Sequence, residues 1–134
     1  MMPTLQIHDL GPQHPAVVDP RLVLLMLGES AIRASWLVAG VARFGERLFA
    51  TGEGATHLEA LSQSLRRVSG AVLSQIFSQV EQVIWGELSA YHDGEDTPWV
   101  ILRAIDSSWC EVEIEDVGIL DRVRQTFADV RLDP

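Results

Sequence analysis

Glu111, Glu113 and Glu115 alternate, and Asp116 follows directly, so four carboxylates fall within one short stretch. On an extended strand, alternate side chains share a side and lie about 6.8 Å apart. That spacing gives a row of negative charge rather than a cage converging on a metal ion. Such a row either keeps a sheet from pairing with its neighbours or meets the arginines and lysines of a basic partner. Trp109 falls on the same side of that strand, and Trp85 and Trp99 flank an acidic loop holding Asp93, Glu95 and Asp96. Aromatic anchors inside a charged rim are the usual makeup of a protein-binding hot spot. The candidate partner-binding residues are therefore Glu111, Glu113, Glu115, Asp116, Trp109, Trp99, Asp93, Glu95 and Asp96.

The residues for catalysis are dispersed. His8, His14, His57 and His92 form no His-Glu-x-x-His pair, and the chain has neither a Gly-x-Ser-x-Gly elbow nor a phosphate loop ending in Gly-Lys-Ser/Thr. There is no lysine to serve as a nucleophile. Cys110, the only cysteine, excludes an intrachain disulfide or a cysteine zinc cluster. Its place in an alternating strand makes it a small core residue rather than a nucleophile. His92 beside Asp93, Glu95 and Asp96 lacks the spacing of a twelve-residue calcium loop. The expectation is a protein that is not an enzyme, with no catalytic residue, no cofactor and no metal.

Charge divides the chain in two. Of 134 residues, 19 are acidic and 10 are arginine, giving a net charge of −9. Residues 1–70 carry six acids and six arginines, whereas residues 71–134 carry thirteen acids and four arginines, so the whole excess lies in the second part. This part repels nucleic acid, whose binding needs cations against phosphates. A basic protein is attracted and steered. No apolar run approaches the roughly 18 residues of a membrane span, and the first residues show no signal-peptide pattern. The expected setting is cytoplasmic, with no membrane and no direct nucleic acid.

The elements that must position these residues follow from periodicity. A length of 134 residues suits one domain. Residues 1–20, with Pro3, Pro12, Pro15 and Pro20, read as an irregular arm with a short strand at Leu5–Ile7. Leu22 to Leu27 fits a buried strand or a short helix, with Asp19-Pro20 as the vote for helix. The glycine-broken stretches 31–41 and 47–51 turn the reading of this whole region toward short strands. After Gly54, a capping box of Thr56 and Glu59 opens a helix with Leu58, Leu61, Leu65, Val68 and Val72 on one stripe. Gly70 kinks or breaks it, and the stripe from Val72 to Leu88 predicts a second helix of about twenty residues. Trp99–Ile105 and Trp109–Glu115 read as a hairpin turning at 106–108, with Cys110, Val112 and Ile114 facing inward. Asp116 caps a last helix carrying Leu120, Val123 and Phe127. The fold class expected is α+β: an antiparallel sheet of about four to six strands with two or three helices packed on one face. The expected core includes Leu58, Leu61, Leu65, Val100, Leu102, Cys110, Val112, Ile114, Leu120 and Phe127.

Trp36-Leu37-Val38-Ala39-Gly40 through Gly54-Ala55-Thr56-His57-Leu58-Glu59-Ala60-Leu61-Ser62-Gln63-Ser64-Leu65 is similar to small bacterial proteins in which strands feed a glycine and then a Leu-x-Ala-Leu-type helix. Ile105-Asp106-Ser107-Ser108-Trp109-Cys110-Glu111-Val112, continued through Phe127-Ala128-Asp129-Val130-Arg131, resembles the strand and terminal-helix ending of bacterial toxin-immunity-type proteins. The two stretches span about half the chain and assign no residue a role. The resemblance implies an immunity protein or antitoxin that neutralises a cognate toxin by occluding its active surface. Its partner is then a basic protein, such as a nucleic-acid-acting enzyme. The alternative is a non-catalytic structural or regulatory subunit, self-associating through tryptophans, and the third reading is a small-molecule-binding domain. As exposed residues, Glu111 and Glu113 are expected to tolerate reversal to arginine with the melting temperature unchanged.

Overall fold

The hairpin that carries the carboxylates also forms the middle of the sheet. In the computed structural model, residues 3–9, 20–40, 50–105 and 109–133 are described. Along these residues the elements run β1 (Thr4–Ile7), α1 (Pro20–Leu27), α2 (Glu29–Arg33), β2 (Ser35–Ala39), β3 (Ala50–Thr51), α3 (Ala55–Ser64) and β4 (Val68–Ser69). They continue with α4 (Gly70–Phe77), β5 (Gln82–Val83), β6 (Gly86–Tyr91), β7 (Val100–Ile105), β8 (Trp109–Ile114), α5 (Val117–Thr126) and β9 (Val130–Asp133). Seven strands pair antiparallel in the order β4-β2-β6-β7-β8-β1-β9, and β3 pairs with β5 in a separate ribbon. This is the α+β fold that the alternation at 99–115 implies, with helices packed against the sheet. The strand count exceeds four to six because the short edge strands β4 and β9 join it.

One face of the sheet makes the core. Leu5, Ile7, Trp36, Val38, Leu88, Ala90, Val100, Leu102, Ala104, Cys110, Val112 and Ile114 are buried in one cluster with Val23, Leu24 and Leu27 of α1, Leu58 of α3, Leu73 and Phe77 of α4, and Val123 of α5. Alternation in β7 and β8 is clean, inward residues buried and outward ones half-buried. Each buried aliphatic side chain contributes about 1.5–3 kcal/mol, so this face accounts for much of the stability. Leu61, Leu120 and Phe127 border the cluster as partly buried residues.

Several local expectations are corrected. Pro20–Leu27 is a helix, not a strand, and its Val23, Leu24 and Leu27 face the core at helical spacing. Within 31–41 a strand does form over Ser35–Ala39, but Ala31–Arg33 belong to α2. Thr56 lies inside α3 and does not cap it. The N-cap is Gly54, where a Cβ would stand 2.6 Å from the carbonyl oxygen of Ile76, so a threonine has no room there. Leu65 ends α3 in a left-handed conformation (φ 54°) and is 66% exposed, so it leaves the core list. The twenty-residue helix stops at Phe77, and Gly86–Tyr91 is a strand inside the sheet. That strand has Leu88, Ser89, Ala90 and Tyr91 all buried, so Glu87 alone marks its outward side and its apolar run continued the helical stripe by coincidence. The Pro-rich segment 10–19, the stretch 41–49 and the hairpin turn 106–108 lie outside the described residues.

The N-terminal strand also binds the C-terminal one. The Asp9 carboxylate accepts the backbone N–H groups of Ala128 (2.7 Å) and Asp129 (2.6 Å), and His8 N–H donates to the Asp129 carbonyl (2.9 Å). Arg131 forks onto Asp129 at 3.0 and 3.1 Å, and this hydrogen bond holds the Asp129 carboxyl below the usual carboxylate range. Hydrogen bonds to a charged acceptor contribute about 1.5–3 kcal/mol. Asp9→Ala is therefore expected to release β9 while the middle of the sheet stays closed. Hydrogen exchange is the measurement: amides of β9 should lose protection and those of β7 should keep it.

Candidate functional site on the open face of the sheet

The described helices cluster with the inward face, and the opposite face carries the charge. Register sets Glu87 of β6 beside Arg103 of β7, and Arg103 beside Glu111 of β8. Arg103 Nε donates to Glu87 Oε2 at 3.0 Å, while Nη1 stands 3.7 Å from Glu111 Oε1 and 3.6 Å from Glu113 Oε1. Burial of Arg103 works against its charge, but its hydrogen bond to Glu87 and the fields of Glu87, Glu113 and Glu111 outweigh it and raise its pKa. Three carboxylates thus surround one guanidinium, leaving this group at −2.

The glutamates are held as well as crowded. Trp109 Nε1 donates to Glu111 Oε2 (2.8 Å), and the indole stacks on His8 with ring centres 5.6 Å apart. His8 Nε2 meets Gln6 Oε1 at 2.9 Å, and Thr4 Oγ1 donates to Glu113 Oε1 at 3.3 Å. The side chains of Glu111 and Glu113 are only 14% and 24% exposed. They are therefore not the freely solvated row that the sequence suggests. Reversing both to arginine would set three guanidiniums together, so the melting temperature should fall rather than stay unchanged. Glutamine at both positions keeps the shape and an acceptor oxygen for Trp109 and Thr4. Half-buried Leu37, Ile101 and Ile105 lie at outward positions of the same face.

A second group gathers where β6 and β8 end and β7 begins. Trp99, Glu115 and Asp116 line a cleft of about 280 Å³ with His92, Thr97 and Pro98. His92 stacks on Trp99 with rings 5.1 Å apart and 7° from parallel. Asp116 caps α5, accepting the Ile119 N–H at 3.3 Å, as expected. Asp93, Glu95 and Asp96 stand apart from both groups on the exposed β6–β7 connection. That connection is fastened by Arg67, whose guanidinium lies 3.7 Å over the Tyr91 ring and donates to the Glu95 carbonyl.

The chain matches no protein-family model, and no curated protein or solved structure aligns with it significantly. The site must be read from its own chemistry. Among the described residues no three His, Cys, Asp or Glu side chains are grouped to hold a metal ion. No helix among them is long and apolar enough to cross a membrane. Cys110 is fully buried on the inward face.

Sequence reasoning missed Arg103 and Glu87. Arg103 was within reach: in a hairpin that pairs Ile105 with Trp109, residue 103 must oppose residue 111. Glu87 was hidden inside the supposed long helix.

Proposed function

We propose that this chain is a small acidic protein-binding protein of the immunity or antitoxin type. It neutralises a basic toxin in the cytoplasm by covering the toxin's active surface. One observation carries the reading: a sheet face with no helix on it among the described residues bears three carboxylates against one guanidinium, amid aromatic and aliphatic side chains. Partly desolvated charge of one sign discriminates strongly between partners, because like charges across an interface cost several kcal/mol. The same charge disfavours the alternative of two copies joined through this face, which would set −2 against −2. The −9 net charge supports attraction of a basic protein at long range.

The test is functional. Immunity genes stand beside the gene of their toxin, so the neighbouring reading frame is expressed alone and then with this chain. Growth arrested by the neighbour and restored by this chain is expected. A neighbour that leaves growth unaffected, or arrest that this chain does not relieve, contradicts the proposal.

A further inference from the structure

We infer that the open face receives an arginine side chain of its partner between Glu111 and Glu113, and that Arg103 holds that place in the free protein. The inference rests on the reading of this face as a docking surface and names the group that it takes. Arg103 makes one hydrogen bond of normal length, to Glu87. Its contacts to Glu111 and Glu113 are 3.7 and 3.6 Å, beyond hydrogen-bond length, and both come from one nitrogen. Each of these carboxylates has one shown hydrogen-bond donor, the Trp109 indole for Glu111 and the Thr4 hydroxyl for Glu113. A carboxylate offers about four acceptor sites, so acceptor capacity remains on both. An incoming cation can take it while Arg103 stays on Glu87.

Geometry favours guanidinium over ammonium. The two carboxylates flank one guanidinium nitrogen already, and a planar fork with five donors can bridge both. A lysine ammonium is a compact, strongly hydrated point charge that loses more water for the same contact. Three carboxylates against one resident cation supply the charge complementarity for a second.

The experiment uses the full chain and three synthetic peptides: tri-arginine, tri-lysine and tri-citrulline, the last a neutral isostere of the first. Binding is followed by the NMR resonance of the Trp109 indole N–H, which reports directly on Glu111. Tri-arginine should shift it, tri-lysine should bind at least threefold more weakly, and tri-citrulline should leave it in place. The double variant Glu111→Gln/Glu113→Gln should weaken tri-arginine at least tenfold. Arg103→Gln should strengthen it severalfold, while Arg33→Gln, the same change of charge on α2, should leave it unaltered.

Equal binding of tri-arginine and tri-lysine overturns the inference, as does a Trp109 resonance that does not move. Equal effects of Arg103→Gln and Arg33→Gln overturn the resident role of Arg103. If Arg103→Gln does not fold, the glutamine pair, which retains Arg103, decides alone. A toxin whose binding requires Glu111 and Glu113, beside peptides that show no arginine preference, sinks this inference and leaves the docking reading standing.

Discussion

Gly70→Ala should remove a large share of the protein's stability. A Cβ at this position would stand 1.8 Å from the carbonyl oxygen of Ala31 and 2.6 Å from the Ile32 Cα, so the obstruction is backbone and no rotamer relieves it. Gly70 N–H also donates to the Ala34 carbonyl at 2.9 Å, fixing the start of α4 against the end of α2. A side chain there must push the two helices apart, drawing Leu73 and Phe77 from the core and β4 from β2. Overpacking commonly costs 1–3 kcal/mol, and a rigid backbone neighbour takes this case to about 4 kcal/mol. Small domains hold about 5–15 kcal/mol in all. Urea unfolding should show a large fall in midpoint, whereas Ala71→Gly, one residue on and exposed, should cost about 1 kcal/mol or less. A Gly70→Ala midpoint equal to that of Ala71→Gly would show that the α2–α4 contact yields easily.

The second large effect concerns Arg103. Without its guanidinium, Glu87, Glu111 and Glu113 face one another on a partly desolvated face with no cation among them from the described residues. Breaking a buried pair by removing one partner costs about 3–5 kcal/mol. Arg103 is a quarter exposed, so Arg103→Gln should cost nearer 2–3 kcal/mol, within the range for hydrogen bonds to charged groups. Part of that loss should return in about 0.5 M salt, which screens the mutual repulsion of the glutamates. Arg33→Gln is the contrast. Its ion pair with Glu29 is 3.5 Å long between side chains about four-fifths exposed, and such pairs contribute about 0–1 kcal/mol. Equal melting temperatures for the two variants would mean that the open-face network contributes nothing to stability.

Local pattern revealed the parts of this fold that have one wet face. The strands around Leu102 and Val112 alternate because one side is solvated, and Asp116 announced α5 because its carboxylate has an N–H to accept. Pattern failed where burial is two-sided or where packing overrides propensity. Leu88 to Tyr91 are buried on both sides, and that uniformity resembles a helix stripe. At Gly54 the approach of the Ile76 carbonyl excludes the side chain that a capping box requires. The site was legible in the same measure. The glutamates and tryptophans were visible as residue types, but their neutralisation depends on Arg103 and Glu87 being brought alongside by strand register. Charge counted along the chain cannot show which carboxylates already have a cation beside them.

The central claim, that the open face docks a basic toxin through its unbalanced carboxylates, is tested most directly by the affinity of the neighbour-encoded protein for Glu111→Gln/Glu113→Gln relative to the unaltered chain. Both glutamines keep the shape of the face and accept from Trp109 and Thr4, so the melting temperature should change little. Truncating the charge of a desolvated interfacial pair costs about 2–5 kcal/mol, and 3 kcal/mol is roughly a hundredfold in Kd. A loss of about that size, with binding of the unaltered chain weakening as salt rises, is the predicted result. An affinity unchanged at low salt in a folded double variant would contradict the account.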